Sequence, residues 1–138
     1  MSTWRNEEWQ SGDPAMDTEH QKLHQMASSM TAVVMNDPGL GLATEAVDVL
    51  RERMRLHFRM EEQALARTDP ESASILKEDH ARLLLLLGRV RDALADGGIE
   101  DCKHLLTEFN TAMDKHDREV DIPLFRMQNK GKRDPLAS

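Results

Sequence analysis

The chain has 138 residues, enough for one domain with its own core. It is 39% hydrophobic and 31% charged with a net charge of −7, a balance that argues against nucleic acid, which asks for a basic face. The longest leucine run, Leu83 to Leu87, falls far short of the roughly 18 apolar residues a membrane span needs. The N-terminal residues carry no apolar leader, and the single cysteine, Cys102, excludes an intrachain disulfide. These features predict a cytoplasmic protein that binds neither nucleic acid nor membrane.

Strand signals are nearly absent, and helical signals come in four blocks. Asp13-Pro14 pairs an N-cap residue with proline at the first helical position and predicts a first helix over 14–35. Asn36-Asp37-Pro38-Gly39-Leu40-Gly41 breaks it, and a second helix follows over 42–67. Thr68-Asp69-Pro70 repeats the cap-and-proline signal and opens a third helix over 70–95, which Asp96-Gly97-Gly98 ends. A fourth is predicted over 99–125, with Pro123 distorting its last turn. Residues 128–138, with Lys130-Gly131-Lys132-Arg133, read as a polar, frayed tail. The nine methionines, at helical spacing, read as core. Four helices of roughly 22–28 residues with short loops predict an all-α, up-down-up-down antiparallel four-helix bundle with an N-terminal arm, a single domain over 1–138.

The chemistry lies in the histidines. His20, His57, His80 and His116 fall once per helix, and the gaps from His20 to His57 and from His80 to His116 are 37 and 36 residues. The chain thus reads as a helical hairpin used twice. His57 has Glu61 four residues on, hence on the same helix face. His116 has Asp121 five residues on, which is off that face by about a third of a turn, so Asp121 needs either an outer swing or a local distortion, which Pro123 could supply. Carboxylates in a bundle core are costly unless a cation sits among them. Imidazole with carboxylate suits iron, zinc, manganese or cobalt, and two carboxylates among four imidazoles point to two bridged metals. His24 and His104 are expected outside the cluster, with Glu62 solvated and Glu78 turned away from the site.

Met16-Asp17-Thr18-Glu19-His20-Gln21-Lys22-Leu23 resembles the first-helix motif of the hemerythrins, the bacterial ones included. His57-Phe58-Arg59-Met60-Glu61-Glu62 is similar to their second-helix motif, His116 with Asp121 to their fourth, and the Trp4–Gly12 arm to their N-terminal segment. The resemblance implies a non-haem pair of iron ions, oxo- or hydroxo-bridged, in a protein that carries or senses oxygen. His20 and His57 would serve one iron, His80 and His116 the other, and Glu61 and Asp121 would bridge them. The family's third helix supplies two histidines four residues apart. His80 matches the second; Leu76 stands at the first and cannot ligate. Ala112 and Met113 stand where the family tends to place tryptophan and leucine. The centre is therefore expected to be more open than the family pattern.

A binding protein for oxygen or a related small ligand is expected, rather than an enzyme, with any signal or electron passing through a partner protein. The alternatives are a di-iron oxidoreductase reducing peroxide or oxygen, and an iron-handling protein.

Overall fold

In the computed structural model the described residues are 10–36 and 41–137, with side chains described to Asn129. Residues 4–9 of the arm and 37–40 of the first loop lie outside them. The described chain is helical throughout: α1 (Pro14–Asn36), α2 (Gly41–Ala66), α3 (Pro70–Asp96), α4 (Ile99–His116), a π turn (Asp117–Asp121) and α5 (Ile122–Ala137). Consecutive helices pack on one another, and α1 also meets α4, as a helical bundle requires. None of the described helices is long and apolar enough to cross a membrane.

The helix starts follow from the caps. Asp13 Oδ1 takes the N–H of Ala15 at 3.0 Å, and Asp69 Oδ1 takes that of Ser72 at 3.2 Å. Each satisfies an amide that the first turn would otherwise leave bare. α3 stops at Gly97, whose φ of 73° lies in the left-handed region glycine tolerates, and Gly98 N–H returns to Ala93 O at 2.9 Å.

Each helix buries one stripe, and the matched histidine of each lies on that stripe. α1 buries His20, Leu23, Ala27, Met30 and Val34; α4 buries Cys102, Leu106, Phe109, Met113 and His116. The apolar residues separate into two clusters. The larger runs from Leu23, Met54 and Leu83 to Met113, and the smaller gathers Leu65, Ala73, Leu76 and Phe125 with Met16 against them. On α1, α3 and the last helix the histidine falls between residues of the two clusters, and on α2 His57 and Glu61 lie between Met54 and Leu65, so the polar site has apolar packing on both sides. Burying each large apolar side chain contributes about 1.5–3 kcal/mol, which offsets the cost of the charged layer between them. Met30, Met54 and Met113 are core as expected, whereas Met60 and Met127 are largely exposed.

The tail departs from expectation. The backbone stays helical to Ala137 where a frayed end over 128–138 was expected. Arg126 donates to Gln10 O at 2.7 Å and Asn129 to Ser11 O at 3.1 Å, so α5 is anchored to the segment that leads into α1. A helix already nucleated and anchored passes Gly131 at only about 1 kcal/mol, while Pro135 opposes its last turn by about 3 kcal/mol.

Candidate metal centre

His20, His57, His80, His116, Glu61 and Asp121 all converge, each at most 6% exposed. His20 Nε2 lies 2.7 Å from Asp121 Oδ2 and 3.1 Å from Glu61 Oε2. His57 Nε2 is 3.2 Å from the same Glu61 oxygen, while His80 Nε2 is 3.4 Å from the other, Oε1. Glu61 thus turns one oxygen to the His20–His57 side and one to His80. The rings pair accordingly, His20 against His57 with centroids 5.1 Å apart and His80 against His116 at 4.9 Å. Phe58 stacks on His80 at 3.7 Å, fixing the ring plane.

The spacing problem at Asp121 is solved by the π turn. Asp117 O takes the N–H of Ile122, five residues on, so the helix carries one extra residue at this point. Asp121 then reaches the face an α-helix reaches in four residues. Pro123 lacks an N–H and its ring crowds the preceding turn, which suits it to the end of a widened one.

Many of these close contacts are not aligned as hydrogen bonds. Nε2 of His57, His80 and His116, Oε1 of Glu61 and both oxygens of Asp121 are buried without a hydrogen-bond partner among the described residues. Such atoms are costly to bury unless something else takes their lone pairs. Their donors fall into two groups, His20–His57–Glu61–Asp121 and His80–His116–Asp121, each with all its atoms within 4.8 Å of one another. A first-row cation with bonds of about 2.0–2.2 Å places opposite donors roughly 4 Å apart, so either group fits one. Asp121 belongs to both.

The electrostatics agree. Burial would push the His20 imidazolium down, yet the carboxylates of Asp121 and Glu61 lift it well above its ordinary value. Burial opposes ionisation of Glu61, but the three imidazoles of His20, His57 and His80 hold it well below the usual range. Burial and then the charge of Glu61 push Asp121 well above its usual range. The metal-free site therefore retains a proton at the His20–Asp121 contact, where a cation would otherwise sit. Burial lowers the neighbouring His116.

Outside the donor groups the sequence reading needs one correction. Glu62, expected in solvent, accepts from His80 Nδ1 at 2.8 Å because its helix lies against α3 at this level. Asp79 accepts likewise from His116 Nδ1 at 3.1 Å. With a carboxylate on Nδ1, each ring carries its proton there and turns the Nε2 lone pair inward. Asp79 and Asp117 were not anticipated; their sequence signal was adjacency, since each sits next to a matched histidine. His24 stays outside the cluster, 2.6 Å from Asp117, while Glu78 and His104 are exposed. Leu76 is fully buried one turn before His80. A groove of about 550 Å³ between α1 and α2, walled by Met16, Leu56, Met60 and Ala64, reaches His57 and Glu61.

A helical bundle with a buried histidine–carboxylate cluster of this kind is the architecture of a cation-binding protein. The family model for the hemerythrin HHE cation binding domain matches residues 11–127, most of the chain, and the chain belongs to that family. No curated protein and no solved structure matches it.

Proposed function

We propose that the protein is a non-haem di-iron protein that binds molecular oxygen or a related small ligand, for carriage or sensing. The observation that carries the reading is the pair of donor groups sharing Asp121, with Glu61 presenting one oxygen to each side. His20 and His57 would hold one iron, His80 and His116 the other, and Glu61 and Asp121 would span both. When bound, the two irons would supply a redox-active centre with coordination positions open to a small ligand. The chain's own residues do the rest. The imidazoles backed by Glu62 and Asp79 are held in one tautomer. The apolar side chains of Leu76 and Phe58 keep bulk water from the His80 half. The groove beside Leu56 and Met60 is walled mainly by apolar side chains, and the Glu19 charge on it is matched by Arg53, so it suits a small uncharged molecule.

The same reading takes the chain as one domain over 1–138 and the bundle as up-down-up-down. It is supported by the cross-helix pairs Asp48–Arg91 and Glu62–His80, in which a step forward on α2 meets a step back on α3.

Metal analysis and an optical spectrum of untagged protein test the proposal. About two irons per chain and a charge-transfer band that appears with oxygen and vanishes under vacuum are expected. Iron near zero after reconstitution would sink it, and rapid peroxide turnover without a reversible band would favour an oxidoreductase. His57→Ala and Glu61→Ala should each lower the iron content and the melting temperature of the loaded protein.

A further inference from the structure

Three polar contacts tie α1 to the segment that runs from α4 through the π turn. Asn110 Nδ2 donates to Thr31 Oγ1 at 2.9 Å, His24 Nε2 lies 2.6 Å from Asp117 Oδ2, and His20 Nε2 lies 2.7 Å from Asp121 Oδ2. They keep register. Four residues from His20 to His24 answer four from Asp121 back to Asp117, and seven from His24 to Thr31 answer seven from Asp117 back to Asn110. The seam is a ladder with the metal centre at one end.

Its middle rung sits where the helix is least regular. Asp117 is 3% exposed and opens the π turn, and its carbonyl takes the Ile122 N–H that closes it. A π turn is a rare conformation that tertiary contacts must hold against the ordinary α-helix. A buried carboxylate is also costly unless paired, and here the pairing comes from another helix. Neither His24 nor Asp117 belongs to the two donor groups, so the bond between them is not explained by ligation.

We propose that His24 and Asp117 are a positioning pair whose bond pins the π turn against α1 and so delivers the Asp121 carboxylate to both halves of the centre. The inference rests on the reading of Asp121 as a shared ligand. Were 117–121 to relax into an α-helix, Asp121 would swing about 100° round the axis, one residue's rotation, away from the position it occupies. The ladder's far rung, Thr31–Asn110, packs α1 on α4 without touching the turn and is the natural control.

The test uses full-length protein, metal-free and loaded with cobalt(II), whose d–d band intensity reports coordination number. In metal-free protein, His24→Ala should speed amide exchange at Ile122 by about tenfold, because that amide closes the turn. In loaded protein it should alter the d–d band and speed cobalt release to a chelator by about tenfold. His24→Gln, whose amide can still donate to Asp117, should restore both, and Thr31→Val should change neither. Should His24→Ala fail to fold, Asp117→Asn is read in the same assays, with smaller changes of the same sign expected. Exchange and release indistinguishable from wild type in His24→Ala would overturn the proposal, as would equal losses in Thr31→Val. Wild-type protein that takes up neither cobalt nor iron would instead sink the metal reading, and the exchange data would still decide whether His24 holds the turn.

Discussion

Glu62 takes a 2.8 Å hydrogen bond from Nδ1 of His80, and Asp79 takes one of 3.1 Å from Nδ1 of His116. Both imidazoles of this half of the centre are thus backed by carboxylates, whereas Nδ1 of His20 is buried without a partner among the described residues. A carboxylate behind an imidazole raises its basicity toward a metal. The half that has Leu76 in place of a histidine is the half with the stronger remaining donors.

Glu62→Gln and Asp79→Asn should therefore each weaken metal binding by about 10–100-fold. Both carboxylates are partly exposed, at 23%, so metal-free stability should change little. Competition against a chromogenic chelator measures the first effect and thermal melting the second. Unaltered affinity in both variants would show that the backing carboxylates only solvate the rings.

Asp121→Asn should affect the two states differently. In the metal-free protein it relieves a buried carboxyl crowded against Glu61 but gives up the 2.7 Å contact with His20, so the stability of the fold should change by no more than about 1 kcal/mol. In the loaded protein it removes the shared ligand, and the gain on adding metal should disappear. Melting curves with and without metal decide it. A variant that still gains stability with metal as wild type does would show that Asp121 is not a ligand.

The metal-free protein should lose stability as pH rises through neutrality. His20 is raised well above its ordinary 6.5, so its contribution is fully present below that value and is lost as pH climbs through the raised one. Asp121, raised well above its usual 3.8, acts in the same direction from that value upward. Glu61 is held low, so its contribution is present above its usual 4.5 and fails only in acid. His116, lowered by burial, works the other way and costs stability as pH falls below its usual 6.5, so maximal metal-free stability should fall on the acid side of neutrality but close to it. Loaded protein should not share the alkaline decline, since metal uptake displaces the retained proton. Melts across pH in the presence of a chelator give the curve, and a metal-free maximum above neutral pH would contradict these assignments.

Leu76→His should move the centre toward the family pattern. Leu76 lies one turn before His80 on its buried face, so an imidazole there can add a donor to the group of three formed by His80, His116 and Asp121. Iron release to a chelator should slow by tenfold or more, by about the worth of one added ligand interaction. The metal-free form should lose about 2–3 kcal/mol, because a polar ring replaces a branched apolar side chain clustered with Leu65 and Phe125. Equal release rates would mean that position 76 does not face the centre.

Much of this was legible in the sequence because the signals were periodic. Proline with its cap at Asp13 and Asp69, and glycine at Gly97, mark helix ends by local chemistry that the packing does not overrule. The six converging residues could be read because two histidine–carboxylate motifs repeat at matched intervals. Glu62, Asp79 and Asp117 could not be read in the same way. An acidic residue beside a histidine points to a different face of its own helix, and whether a neighbouring helix stands there depends on how the bundle closes. The tail was misjudged for a related reason: composition describes how it meets water, while its anchoring rests on Arg126 and Asn129 reaching back to Gln10 and Ser11.

The π turn divides the last helix into two frames. On α4 the buried Cys102, Leu106, Phe109 and Met113 lie along one face of the helix, a face that, continued unbroken, would select Val120 and Leu124. Those two are only half-buried, and the interior is instead taken by Asp121, Ile122 and Phe125, one place late. A helical wheel drawn straight through 99–129 would send the shared carboxylate outward and two half-covered side chains to the centre. Upstream and downstream of Asp117 the helix must be numbered on separate wheels, offset by one residue.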